Sequence, residues 1–266
     1  RYNNFDMLEV GYGINLRPLA SLAQEIYGDD PCEFFKPNVL EKNKYDPIPE
    51  ELAAKMHKMI SIIQFKCEGQ EIMRHPEYHL EKRNLLDKID WDKGTVNVEG
   101  TEWPMRDTNF PTVDPKDPYR LTPQEEEVMV ALEASMVNAS MLQRHIEYMF
   151  SHGSLFKISN GNLFYHGCIP MDANGEFKEI EIDGGKYKGA SYLQKLDELI
   201  RAAHYTRSED KAEAASIMWF MWLSEDSPLF GKDKMTTFER YFIADKKTHK
   251  ETSSPYYKLM DKEEIA

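Results

Sequence analysis

The sequence predicts a mixed α/β protein in two parts, with residues 1–150 mainly helical and residues 151–266 opening in strands. Three observations lead there. In two long stretches before residue 150, apolar side chains recur at spacings of three and four, the period of one helix face. Asn160-Gly161 stands between two short apolar runs, and this dipeptide favours a two-residue hairpin turn with both residues at positive φ. The chain of 266 residues, 41% of them hydrophobic, is also long and apolar enough to build a sizeable core.

The elements follow in order. Leu52, Met56, Met59, Ile60, Ile63 and Cys67 predict one amphipathic helix, starting after Pro47 and Pro49 with Glu50 and Glu51 in its first turn and stopping before Pro76. Gly94–Val98 and Trp103–Met105 flank Glu99-Gly100-Thr101-Glu102 as a small hairpin, and the Pro- and Asp-rich run from Pro111 to Pro118 reads as irregular. Thr122-Pro123-Gln124-Glu125 is a capping box with proline at the first helical position. The stripe Val128, Leu132, Met136, Ala139, Leu142, Ile146 and Met149 then predicts one long helix up to Gly153.

Beyond Gly153 the pattern turns to strand. Leu155–Ser159 and Asn162–His166 form the hairpin around Asn160-Gly161, followed by Glu179–Ile182 and a Gly184-Gly185 turn into Lys186-Tyr187-Lys188. Two helices come next. The first carries Leu193, Leu196, Leu199, Ile200 and Ala203. The second opens at Ser208 with Glu209 and Asp210 in its first turn and carries Ala212, Ala215, Met218, Trp219 and Trp222, with both tryptophans expected in the core.

Composition removes several function classes. With 33 basic against 46 acidic residues the net charge is −13, which argues against nucleic acid as a partner because phosphate-backbone binding needs a positive surface. An anionic sugar phosphate needs only a local cationic pocket or a metal. Cys32, Cys67 and Cys168 show no C-x-x-C spacing, so neither a disulfide framework nor a cysteine zinc site is indicated. No run approaches the roughly 18 apolar residues of a membrane span, and the opening residues do not read as a signal segment; a cytoplasmic protein is expected.

His166 is the leading candidate for chemistry. It ends an apolar strand, Gly167 removes a side chain beside the imidazole so that backbone or ligand can approach, and Pro170 stops the strand. A structural, hydrogen-bonded histidine is the alternative. Lys232, Lys234 and Arg240, in and behind Gly231-Lys232-Asp233-Lys234, are cations able to hold a phosphate, with a solvated surface loop as the alternative. Pro76 spoils a helical face for His75 and His79, and Asp87 and Asp90 lack calcium-loop spacing. Arg144, His145 and His152 flank a helix end, and Cys168 reads as packing.

Asn162–Pro170 resembles the strand-His-Gly motif of the calcineurin-like metallophosphoesterases. Ser227–Phe242, Gly11–Leu19 and Asp87-Lys88-Ile89-Asp90 narrow the resemblance to the class III fructose-1,6-bisphosphatases of that superfamily, over a span from Arg1 to Ile265. The resemblance implies an αββα sandwich with its site at the carboxyl ends of strands, residues 151–266 being part of it and residues 1–150 a helical insertion. It also implies a dinuclear manganese site to which His166 gives one ligand, with two metals about 3.5–4 Å apart that activate a water and neutralise phosphoryl charge. The implied reaction is hydrolysis of fructose 1,6-bisphosphate to fructose 6-phosphate and phosphate, in gluconeogenesis. The sugar bisphosphate is then the partner, with no nucleic acid or membrane and with homo-oligomerisation left open. The family's Asp-x-His, Gly-Asp-x-x-Asp-Arg-Gly, Gly-Asn-His-Asp and late histidine motifs are missing from this sequence, so it reads as a central fragment that is inactive alone. Two other readings stay open: a metallophosphatase of the same fold with another substrate, and a non-catalytic interaction or regulatory segment using the helical part as its surface.

Overall fold

The computed structural model describes residues 4–38, 48–206 and 211–260. Along the chain come α1 (Arg17–Ile26), α2 (Glu50–Arg74), β1 (Ile89–Asp90), β2 (Thr95–Val98), β3 (Thr101–Pro104), α3 (Pro123–Asn138) and α4 (Ser140–His152). Then follow β4 (Phe156–Ser159), β5 (Asn162–Tyr165), β6 (Ile180–Ile182), β7 (Gly185–Tyr187), α5 (Gly189–Tyr205), α6 (Lys211–Leu223), α7 (Thr237–Phe242) and α8 (Pro255–Leu259). The fold is mixed α/β with small antiparallel sheets: a three-stranded sheet in the order β1-β2-β3, and the hairpins β4-β5 and β6-β7. Two compact units share the chain, one made of Arg1–Met73, Asn84–Glu147 and Thr237–Thr248, the other of Arg74–Arg83, Tyr148–Thr236 and His249–Ala266.

In the first unit α2 is the axis of the core. The expected helix is present, yet it is buried on all sides instead of along one stripe: Met56, Met59, Ile62 and Ile63 are enclosed, and so are Lys58 and Lys66. Paired carboxylates make this tolerable. Lys58 Nζ lies 2.7 Å from Asp30 and 2.8 Å from Asp107, while Lys66 Nζ donates to Glu125 Oε2 and to the Thr112 carbonyl, each at 2.6 Å. Gly69 is the close-packing point of the helix, because a Cβ there would lie 2.1 Å from the Tyr119 ring. Tyr119 is fixed at both ends, its carbonyl accepting from Gln70 and its hydroxyl donating to Asp87, each at 2.6 Å.

The capping box forms as read. Thr122 Oγ1 accepts the Glu125 N–H at 3.2 Å and Glu125 Oε2 accepts the Thr122 N–H at 2.8 Å. The long helix expected up to Gly153 is instead two, broken at Ala139, whose ψ of 91° leaves the helical region. Side chains replace the missing backbone bonds there, with Asn138 donating to the Ala134 carbonyl at 2.7 Å and Gln143 to that of Met136 at 2.9 Å. Val128, Leu132 and Ala139 reach the core, but no residue of α4 is fully buried and Met149 is 66% exposed. The small hairpin is tighter than expected: Glu99 and Gly100, both at positive φ, make a two-residue turn between β2 and β3, and β1 adds a third strand. His57 was not singled out by the sequence. Its ring lies between the Phe35 carbonyl at 3.2 Å and the Tyr241 hydroxyl at 3.0 Å, and burial lowers its pKa to about 4.

In the second unit, Ile180, Ile182, Tyr192, Leu196, Phe220 and Met221 form one cluster where β6 and β7 pack with α5 and α6. The β6-β7 turn falls at Asp183-Gly184, one residue earlier than read. A second cluster joins Cys168, Ile169, Met171, Leu193, Tyr256 and Leu259. Trp222 departs from the expected core position: it is 50% exposed and stacked on Trp219 at 5.8 Å. The opening assigned to Ser208, Glu209 and Asp210 lies outside the described residues, as does Pro47. The β4-β5 hairpin is largely solvent-facing, with Ile158 67% and Phe164 58% exposed.

Two outcomes are expected. Gly69→Ala should destabilise the protein by about 2 kcal/mol or more, although alanine favours an exposed helix interior by about 1 kcal/mol; urea titration reads the sign. The second concerns His57, whose ordinary pKa of 6.5 is lowered to about 4 in the folded protein. Its contribution is therefore whole above the ordinary value and drains away as the unfolded chain takes up a proton the folded one refuses. The stability gap between wild type and His57→Gln should shrink by about 2–3 kcal/mol on going from pH 7 to pH 4. A gap constant with pH would mean that the imidazole titrates normally.

Candidate functional site

The β4-β5 hairpin pairs Phe156 with Tyr165 and Ser159 with Asn162, and it turns through Asn160 and Gly161 at φ of 49° and 76°. His166 follows the last paired residue directly. Each neighbour of this histidine is fixed. The Tyr165 hydroxyl is hydrogen-bonded to that of Tyr256 in α8. Gly167 lies against the Pro228 carbonyl, which a Cβ would meet at 2.5 Å, and the same carbonyl accepts the Cys168 N–H at 3.0 Å. Cys168 is enclosed, its Sγ 3.9 Å from the Ser227 carbonyl.

The other end of the hairpin is anchored as well. Asp197 in α5 accepts the Leu155 N–H at 2.9 Å and the Arg201 Nε–H at 2.7 Å, and the Arg201 guanidinium also donates to the Phe150 and Gly153 carbonyls. On this frame the His166 side chain is exposed, with no hydrogen-bond partner among the described residues. An imidazole so placed fits as one donor to a metal. Among the described residues no group of three or more His, Cys, Asp or Glu side chains is placed to hold an ion, so a complete site is not assembled here and no catalytic step is derived through one.

The three candidate cations are divided between the units. Lys232 and Lys234 belong to the second, Arg240 to the first, on α7. Lys232 Nζ sits 2.8 Å from Glu251 Oε2, and Glu251 Oε1 accepts the Thr236 N–H at 3.1 Å and its hydroxyl at 2.8 Å. Burial opposes the Glu251 charge, but Lys232 and Thr236 outweigh it and bring the pKa down to about 2. Lys232 also bridges Ser253, and Asp233 exchanges bonds with Thr252, its N–H donating at 2.9 Å and its carboxylate accepting at 2.7 Å. Lys234, half-buried, and the exposed Arg240 are engaged with other groups too.

Lys232 lines a cavity of about 700 Å³ that begins at Pro170, just past the His166 loop, and includes Met171, Lys178, Pro255 and Lys258. The sequence reading passed over α8 and its surroundings. One signal was present, because Ser254-Pro255 is a helix start and the Ser254 hydroxyl accepts the Tyr256 N–H at 3.4 Å. Nothing in the spacing ties Glu251 or Tyr256 to residues so far upstream. Three of the other histidines have structural partners: His75 contacts Glu77 at 2.8 Å, His145 the Tyr12 hydroxyl at 3.2 Å, and His152 stacks on Tyr148.

A family model described as Firmicute fructose-1,6-bisphosphatase matches residues 1–266. The chain is 51% identical over 267 residues to a fructose-1,6-bisphosphatase class 3 of Clostridium tetani, covering 100% of this chain and 40% of that protein. It is 48% identical to the Clostridium acetobutylicum protein of that name, with the same coverage. It is 47% identical over 268 residues to that of Bacteroides fragilis, again covering 100% of this chain and 40% of the relative. The chain thus spans about two fifths of the length of these curated relatives. No solved structure matches it. The match along the whole chain leads to one conclusion: the chain belongs to the Firmicute fructose-1,6-bisphosphatase family.

Proposed function

We propose that the protein to which this chain contributes hydrolyses fructose 1,6-bisphosphate to fructose 6-phosphate and phosphate, as a cytoplasmic enzyme of gluconeogenesis. The observation that carries this reading is the unbroken match to relatives bearing that name, at 51% identity over 100% of the chain for one of them. In the same reading residues 151–266 contribute to an αββα metallophosphoesterase sandwich and residues 1–150 are a helical insertion. Two metal ions, manganese in this proposal, neutralise charge on the transferred phosphoryl group. His166 donates one nitrogen to one of them, with the remaining ligands supplied from outside this chain.

What the chain's own residues do is hold that imidazole still. Asp197 and Arg201 anchor one side of the hairpin, while Tyr256 and the Pro228 carbonyl hold the other. Among the described residues the side chain has no hydrogen bond to give up before it binds an ion. Among the sequence-derived cations, Lys232 and Lys234 are assigned to the surroundings of the sugar's second phosphate, with Lys232 at the cavity wall. Arg240 keeps its assignment as a substrate-binding cation for a phosphate of the sugar.

This chain by itself is expected to release no phosphate from fructose 1,6-bisphosphate with manganese present, because one imidazole does not make a dinuclear site. Steady release by the pure chain would overturn the ligand assignment.

In the full-length protein His166→Ala should lower turnover about a hundredfold or more and reduce bound metal, with the fold left intact by circular dichroism. Gly167→Ala should lose metal too, because the added methyl pushes against a backbone carbonyl that has little room to move. Normal metal content and turnover in both variants would make His166 a structural residue.

A further inference from the structure

At the open end of the β4-β5 hairpin the last register pair is Phe156 with Tyr165, so Leu155 and His166 are the next residues outward on the two strands. Neighbouring strands lie about 5 Å apart, which sets the His166 backbone close to that of Leu155. Leu155 also lines a second cavity, of about 420 Å³, together with Tyr148, Met149, Phe150 and Ile200. All its lining residues belong to the second unit. The histidine and this cavity therefore share one end of the hairpin.

The lining says what kind of group the cavity takes. Its ion pair is matched: Arg201 Nε–H donates to Asp197 at 2.7 Å, the same guanidinium donates to the Phe150 and Gly153 carbonyls, and Asp197 also accepts the Leu155 N–H at 2.9 Å. The His152 ring stacks on Tyr148. What remains is apolar and open to solvent, with Tyr148 64% and Met149 66% exposed. Both belong to α4, a helix of 13 residues without one fully buried side chain. A helix of that length is marginal in water unless a neighbour covers its apolar face. Large apolar side chains around a matched ion pair make a pocket for one bulky apolar side chain, the way interface anchors are held.

We infer that this cavity receives an apolar side chain from the part of the full-length protein outside this chain, and that the docking brings the remaining metal ligands to His166. Two observations commit it to that occupant. The chain spans about two fifths of the length of its curated relatives, so most of such a protein is available to cover the cavity. Among the described residues no group of three or more ligating side chains is assembled, so a metal site at His166 is completed by a segment that runs past this strand end, where the cavity lies. The inference rests on the metallophosphatase reading of His166 and adds the contact that closes the site.

The test uses the full-length protein carrying Met149→p-benzoylphenylalanine, irradiated and digested for mass spectrometry, alongside manganese binding and turnover of fructose 1,6-bisphosphate. A crosslink within one molecule to a residue outside these 266 is expected, and it should survive dilution. Met149→Asn should weaken manganese binding about tenfold and Met149→Leu leave it within about twofold, because the contact needs an apolar side chain. An exposed methionine without a cover would tolerate both changes. Crosslinks confined to this chain, crosslinks between two molecules that fade on dilution, or no crosslink at all would overturn the docking, and turnover of the bisphosphate in that case leaves the functional reading standing. The expected crosslink with unchanged manganese affinity in Met149→Asn would overturn the link to His166. If the unmodified protein neither hydrolyses the bisphosphate nor binds manganese, the reading of His166 falls and the inference with it.

Discussion

The Glu125 carboxylate is the group on which the first unit turns. One of its oxygens receives the Thr122 N–H, closing the cap of α3, and the Lys66 ammonium from the middle of α2. Neither side chain touches solvent. A lysine enclosed in apolar surroundings without a counter-charge costs several kcal/mol, so α2 can be fully surrounded only if α3 begins where this carboxylate reaches it. Lys58 repeats the logic with Asp30 and Asp107, two acids from loops far apart in sequence. These pairs add less net stability than they add selectivity: a packing that separated any of them would leave a bare charge inside.

That dependence explains what the sequence made legible. Local signals were reliable: Thr122-Pro123-Gln124-Glu125 set a helix start and Asn160-Gly161 set a tight turn, because each specifies its geometry within a few residues. The surroundings of α2 were not legible, since apolar spacing marks one face and the burial of the opposite face depends on acids contributed by distant segments. The stripe from Val128 to Met149 failed for a related reason. Apolar periodicity continues through Ala139, but the side chains of Asn138 and Gln143 satisfy the last turn of α3 and let the chain leave the helix.

The candidate site divides in the same way. The place of His166 at a strand end was readable because strand, glycine and proline are neighbours in sequence, and the reason for the glycine is the Pro228 carbonyl, which no sequence pattern names. Lys232 attracted notice as part of a charged loop, but such a loop does not say which lysine is spent on architecture. In the folded chain Lys232 pairs with Glu251 at 2.8 Å, a partner that no local spacing names.

The hairpin that presents His166 has a further property. Among the described residues β4 and β5 pair only with each other, so each keeps an outward row of backbone donors and acceptors beside Ile158, Leu163 and Phe164. Such an edge is a template for another strand, and a second molecule can supply one. What holds two molecules of this chain apart is mutual repulsion from the −13 charge. Added electrolyte shortens the reach of that repulsion, to about 8 Å at physiological ionic strength, and leaves the apolar attraction in place. Colloidal behaviour in this segment is therefore tied to salt through the same strands that carry its histidine.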